Sequence, residues 1–154
     1  NLMLINYQLK LRMSRNKFNT YVYFSLFGAN FAPDKITEEI AIEPTESWQA
    51  GDKGKYKKEL TFSCWKLSTE KGKEYLDIDK LVSEIIHKLK DKIDIINDLK
   101  HKYQLDSVLQ IVLDINLNPD QSTPYLGHDL ETIEFLFKTQ TETDIDIYRF
   151  DSRD

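Results

Sequence analysis

Between Tyr21 and Trp65 the chain sets a strand, a turn, a helix, a tryptophan-containing loop and a second strand in a fixed order, and few folds accommodate that order in so short a span. Thr20 to Phe27 is dense in aromatic and β-branched residues and stops at Gly28, which reads as a central strand. Pro33 suits the first turn of a short helix whose apolar side is Ile36, Ile40 and Ala41, and Pro44 ends it. From Glu43 to Glu59 the residues are polar and punctuated by Pro44, Gly51 and Gly54, which predicts a long loop. Leu60 to Leu67 returns as a strand.

The second half repeats this order after a long amphipathic segment. Leu81, Val82, Ile85, Ile86, Leu89, Ile93, Ile96, Leu99 and Tyr103 fall three or four apart, which predicts a helix over residues 78 to 103 with Asp77 or Asp79 at its start. At 1.5 Å per residue it would span about 38 Å, too long for a compact domain, so a bend is expected near Lys90-Asp91. Ser107 to Ile115 alternates as a third strand, Asn116 to Gly127 is loop, Asp129 to Lys138 a helix, and Thr143 to Tyr148 the fourth strand.

The expected fold is therefore α+β: a two-layer sandwich of order β-α-β, long helix, β-α-β. Its sheet would be mostly antiparallel and four-stranded, ferredoxin-like or related, with helices on one face. The order also suggests an internal duplication. Residues 13–154 form a single domain on this reading. Residues 1–12, where Met3, Ile5, Tyr7, Leu9 and Leu11 alternate with polar residues, are a leader or an extra edge strand.

The quoted motifs resemble the bacterial family called domain of unknown function 4279, over roughly residues 18 to 150. The residues that carry the resemblance are Phe24-Ser25-Leu26-Phe27-Gly28, Phe31 with Pro33-Asp34, Ile42-Glu43-Pro44-Thr45, Trp48 with Gly51-Asp52, Trp65, and Ile145-Asp146-Ile147-Tyr148. The resemblance implies a small bacterial protein and assigns no activity or catalytic residue.

Composition narrows the function classes. A net charge of -5 with 31% charged residues disfavours nucleic-acid binding, because a phosphate backbone would be repelled. Cys64 stands alone, which excludes an intramolecular disulfide and suits a reducing cytoplasm. No apolar run approaches the roughly 20 residues of a membrane span.

Two groups of residues are candidate sites. Alternation places Val22, Phe24, Leu26, Leu109, Ile111, Ile145 and Ile147 toward the helices, leaving Tyr21, Tyr23, Gln110, Asp114, Asp144, Asp146 and Tyr148 on the opposite face. Such a tyrosine-rich, acidic surface would suit a basic protein partner. It is equally readable as a solvated sheet face or one covered by residues 1–12. Trp48, Gly51, Asp52 and Trp65 could wall a small-molecule pocket, or Trp48 could pin the loop to the core.

Lys53, Lys55, Lys57 and Lys58 lack the glycine spacing of a phosphate cradle. His87, His101 and His128 lack metal-ligand spacing, with His128-Asp129 reading as a helix entry and Cys64 as a buried small side chain. The expectation is a non-catalytic protein-binding module without cofactor, specifically an immunity-type protein that neutralises a basic toxin domain. The alternative is a small-molecule sensor using the Trp48 to Trp65 region. Edge strands could pair between chains to give a dimer.

Overall fold

Strand β1 (Tyr21–Gly28) forms where β-branched and aromatic residues are densest, and it becomes the middle of the sheet. It ends at Gly28, where a Cβ would meet Leu105 Cδ2 at 2.9 Å and Gln104 O at 3.3 Å. Helix α1 (Pro33–Ile40) starts on its proline and buries Ile36 and Ile40, then stops at Ala41 in the left-handed conformation. The computed structural model describes residues 19–56, 58–73 and 76–153. The leader or extra edge strand expected in residues 1–12 lies outside them.

The segment expected to be a loop between Glu43 and Glu59 contains a short strand, β2 (Glu46–Trp48), paired antiparallel with β3 (Ser63–Ser68). Three residues are too few to display an alternation, which is why local pattern misses it. The long helix is two helices, α2 (Ile78–Leu89) and α3 (Ile93–Tyr103), joined by a 3-10 turn at Lys90–Lys92 where the bend was expected. The break lets Leu81, Ile85 and Leu89 and then Ile96 and Leu99 all reach one core, which a straight rod would overshoot. Asp77 stands at the α2 N-cap position without a capping hydrogen bond, and its carboxylate pairs with Lys80 at 3.0 Å.

Strand β4 (Asp106–Asn116) follows, then α4 (Leu130–Thr139) and β5 (Glu142–Phe150). Asp129 caps α4, with Oδ1 accepting from Thr132 N at 2.7 Å.

The sheet has five strands in the order β2-β3-β1-β4-β5, rather than four. All neighbours are antiparallel except β4 and β5, which run parallel through the α4 crossover. The two halves do not repeat. In the second half β4 and β5 lie side by side. In the first half β1 and β2 run the same way with β3 inserted between them, because β2 and β3 form an antiparallel pair that folds back against β1. These pairings do not describe an internal duplication.

The main core lies between the sheet and the helices. Val22, Phe24, Leu26, Trp65, Leu67, Leu109, Ile111 and Leu113 meet Ile36, Ile85, Leu89, Ile96 and Phe135 there. Each such side chain contributes about 1.5–3 kcal/mol on burial. Among the described residues no helix is long and apolar enough to cross a membrane.

Candidate functional site

Strand register does bring the tyrosine and aspartate residues onto one face. Tyr23, Gln110 and Asp144 lie across adjacent strands, as do Tyr21, Val112 and Asp146, and Asp114 is paired with Tyr148. The expected openness is corrected. Tyr21, Tyr23, Gln110 and Asp114 are buried, while Asp144, Asp146 and Tyr148 are partly buried. Among the described residues the apolar groups on this side draw on no helix: Tyr21, Tyr23 and Val112 form one cluster with Tyr148, and Trp48, Phe62 and Cys64 another. Burial, with the Tyr21 phenol next, drives the ionisation of Tyr23 far upward, so it stays a neutral phenol.

Sequence reasoning missed the cation on this face. Lys66 alternates with Trp65 and Leu67, so its side chain falls beside Cys64 and Ser68 on the far side of the sheet from the helices. It is 3% exposed. Its Nζ lies 3.0 Å from Glu46 Oε2, 4.5 Å from the Tyr23 ring centre and 5.1 Å from that of Trp48. The buried ammonium is thus satisfied by one carboxylate and two aromatic faces, and that half of the face is structural rather than available.

The Trp48, Gly51, Asp52 and Trp65 pocket is also corrected. Register sets Ser47 opposite Trp65 and Trp48 opposite Cys64, so the two indoles lie on opposite faces of the sheet. Trp65 is buried in the main core and donates Nε1–H to Thr37 Oγ1 at 3.1 Å. Trp48 meets Phe62 edge-on at 5.5 Å, which pins the loop. Gly51, at φ +92, donates to Leu60 O at 2.8 Å, and Asp52 Oδ2 accepts from Gln49 N at 2.7 Å, so this pair builds the turn.

Two of the three histidines are engaged by neighbouring side chains. His87 Nε2 is 3.2 Å from Glu131 Oε2 on the surface between α2 and α4, and Lys90 holds the other Glu131 oxygen at 2.8 Å. His128 Nε2 meets Thr143 Oγ1 at 3.2 Å. His101 stays on the exposed side of α3. A cleft of about 630 Å³ beside α2 is lined by Asp77, Lys80, Glu84, His87 and Tyr125, but Asp77 pairs with Lys80 and Glu84 with Lys88. Among the described residues no cluster of histidine, cysteine and carboxylate side chains is arranged to hold a metal.

Burial pushes the Cys64 thiol up to about 12, so it is not a thiolate near neutrality. Ellman's reagent at pH 8 is accordingly expected to leave native Cys64 unmodified and to titrate one thiol after urea is added. Rapid modification of the native protein would contradict the assigned burial.

The surface that does remain open was not foreseen as a site. On α4, Leu130 is 83% exposed, Ile133 50% and Phe137 82%, and on β5, Ile145 is 39% and Ile147 56% exposed. The helix turns Phe135 inward onto Phe24. Its charged flank faces the neighbouring helices, with Glu131 held by Lys90 and the Lys138 carbonyl accepting from Asn97 Nδ2 at 3.1 Å. On a 3.6-residue turn this leaves Leu130, Ile133 and Phe137 on the flank facing away from α2 and α3. That is the side of β5, whose Ile145 and Ile147 share the helix-side face with Ile111 and Leu113 by register. The five residues form an apolar stripe bordered by Glu134, which is paired with Lys138 at 2.6 Å. The exposure of Ile145 and Ile147 also departs from the sequence reading, which placed them under the helices. Helix α4 is the outermost of the layer, and the sheet extends past it.

The family described as "Domain of unknown function (DUF4279)" matches residues 16–150. No curated protein and no solved structure matches the chain.

Proposed function

The chain belongs to the DUF4279 family, whose description assigns no activity, and from that starting point we propose that it is a non-catalytic protein-binding module. The observation that carries this reading is the exposed stripe of Leu130, Ile133, Phe137, Ile145 and Ile147. An apolar centre rimmed by charge is the anatomy of an interaction surface, and large apolar side chains gathered in one place are seldom left in water without use. Supporting it, the Cys64 thiol is committed to packing, and His87 and His128 to pairing with Glu131 and Thr143.

The narrower form is an immunity-type protein that docks on a basic toxin domain in the cytoplasm. Its support is the net charge of -5, which would steer a cationic partner. The small-molecule reading is weaker, because its two tryptophans do not share a wall.

The test places a photo-crosslinking phenylalanine derivative at position 137 in living cells. One predominant cationic adduct, lost on adding Ile133→Asp, is the expected result. Uniform labelling of bystander proteins, unchanged by Ile133→Asp, would refute the docking surface. Rescue of cells from a toxin encoded beside this gene supports the narrower form, and absence of rescue with a specific adduct leaves only the broader one.

A further inference from the structure

The face of the sheet turned away from the helices is buried, yet no described helix or strand lies over it. Tyr23 and Ser25 are 0% exposed, Gln110 1% and Val112 3%, and strand alternation turns all four to this side. The described helices pack on the other side, against Val22, Phe24 and Leu109. An antiparallel sheet covered on one face alone shows its second face to water, where side chains of this size keep much of their surface exposed. Some part of the chain therefore covers this face.

Outside the described residues lie positions 1–18, 57, 74, 75 and 154, and the last four are too few and too scattered to roof a sheet. Residues 1–18 have the reach. Even at the α-helical rise of 1.5 Å they would extend about 27 Å, against about 19 Å for four strand spacings of about 4.8 Å. They also enter at the right place. Asn19 N donates to Asp114 Oδ2 at 2.7 Å, and Asp114 projects on the same side as Gln110 and Val112, so the chain arrives over β4 on the buried face.

Their chemistry matches what they would meet. Met3, Ile5, Tyr7, Leu9 and Leu11 offer apolar contact to the cluster of Tyr21, Tyr23 and Val112. Lys10, Arg12, Arg15 and Lys17, with no acidic residue among positions 1–18, complement a face that carries Asp114 and Asp144.

We propose that residues 1–18 cover the tyrosine and aspartate face, which makes that face an internal contact of the chain and closes it to other partners. The inference is independent of the docking surface on α4 and β5, because it concerns the opposite side of the sheet.

The test keeps the full chain and places a photo-crosslinking phenylalanine derivative in place of Tyr7, with the adduct located by fragmentation mass spectrometry. An adduct within one chain to far-face residues such as Tyr21, Gln110 or Val112 is expected. An adduct to α2, α3 or α4, or none within the chain, would overturn the assignment. An adduct joining two chains would overturn it too, by naming a second copy as the cover. Hydroxyl-radical footprinting gives a second reading that needs no crosslinker. Leu9→Asp combined with Leu11→Asp should raise modification of Tyr23 severalfold while Phe24, its neighbour on the helix side, stays protected. Protection of Tyr23 unchanged in that variant would count against residues 1–18 as the cover.

Discussion

Trp65→Ala is expected to cost about 3–5 kcal/mol of folding stability, the largest single-residue effect in the described structure. The indole is fully buried between β3 and the helices, where it packs in the main core and ties α1 to the sheet through Thr37 Oγ1. Truncation would open a cavity too confined to collapse and would leave the Thr37 hydroxyl without its donor. Against a typical total of about 5–15 kcal/mol, the variant would be close to unfolding at room temperature. Urea denaturation followed by circular dichroism measures it, and a loss under about 1 kcal/mol would show that the indole does not occupy the core. Trp48→Ala should cost less, because that ring fastens a loop rather than two layers.

The second large effect concerns Glu46, whose removal strands the nearly buried Lys66 ammonium. Glu46→Gln is expected to destabilise by about 1–2 kcal/mol, below the roughly 3–5 typical of fully buried pairs because Glu46 is itself 43% exposed. The pH dependence has a definite sign. Burial works against the Glu46 charge, but attraction to Lys66, its hydrogen bond and the nearby Lys71 outweigh this and hold the carboxyl below its ordinary value of 4.5. A folded value lowered in this way stabilises fully above 4.5, and the contribution is lost as acid carries the pH down through the folded value. The difference between wild type and Glu46→Gln should therefore be constant around neutrality and close on acidification, read from urea midpoints at a series of pH values. A difference that widened below pH 4.5 would reverse the assignment.

Local pattern revealed much of this fold, and the reasons for what it missed are physical. The aromatic and β-branched density of β1, the alternation of β4 and the apolar stripe of α2 and α3 are long signals, so the elements, and the bend at Lys90, could be read directly. Strand β2 and the insertion of β3 beside β1 depend on where a loop returns the chain, and no local residue records that. The face shared by Tyr23, Gln110 and Asp144 followed from alternation, but its burial did not, because alternation says which residues share a side and not what lies over it. The α4 and β5 stripe was hidden for the converse reason. Ile145 and Ile147 look like core residues in sequence, and only the position of α4 leaves them exposed.

The parallel pairing of β4 with β5 has a consequence for biogenesis. An antiparallel neighbour can close as soon as a short turn has left the ribosome, whereas a parallel one must wait for the connecting loop and α4 to emerge. During that interval β4, apolar on its helix-facing side, is itself an unprotected rim of the nascent protein. Chaperone engagement during synthesis would centre on this strand, and ribosome stalling within α4 would yield the most aggregation-prone intermediate.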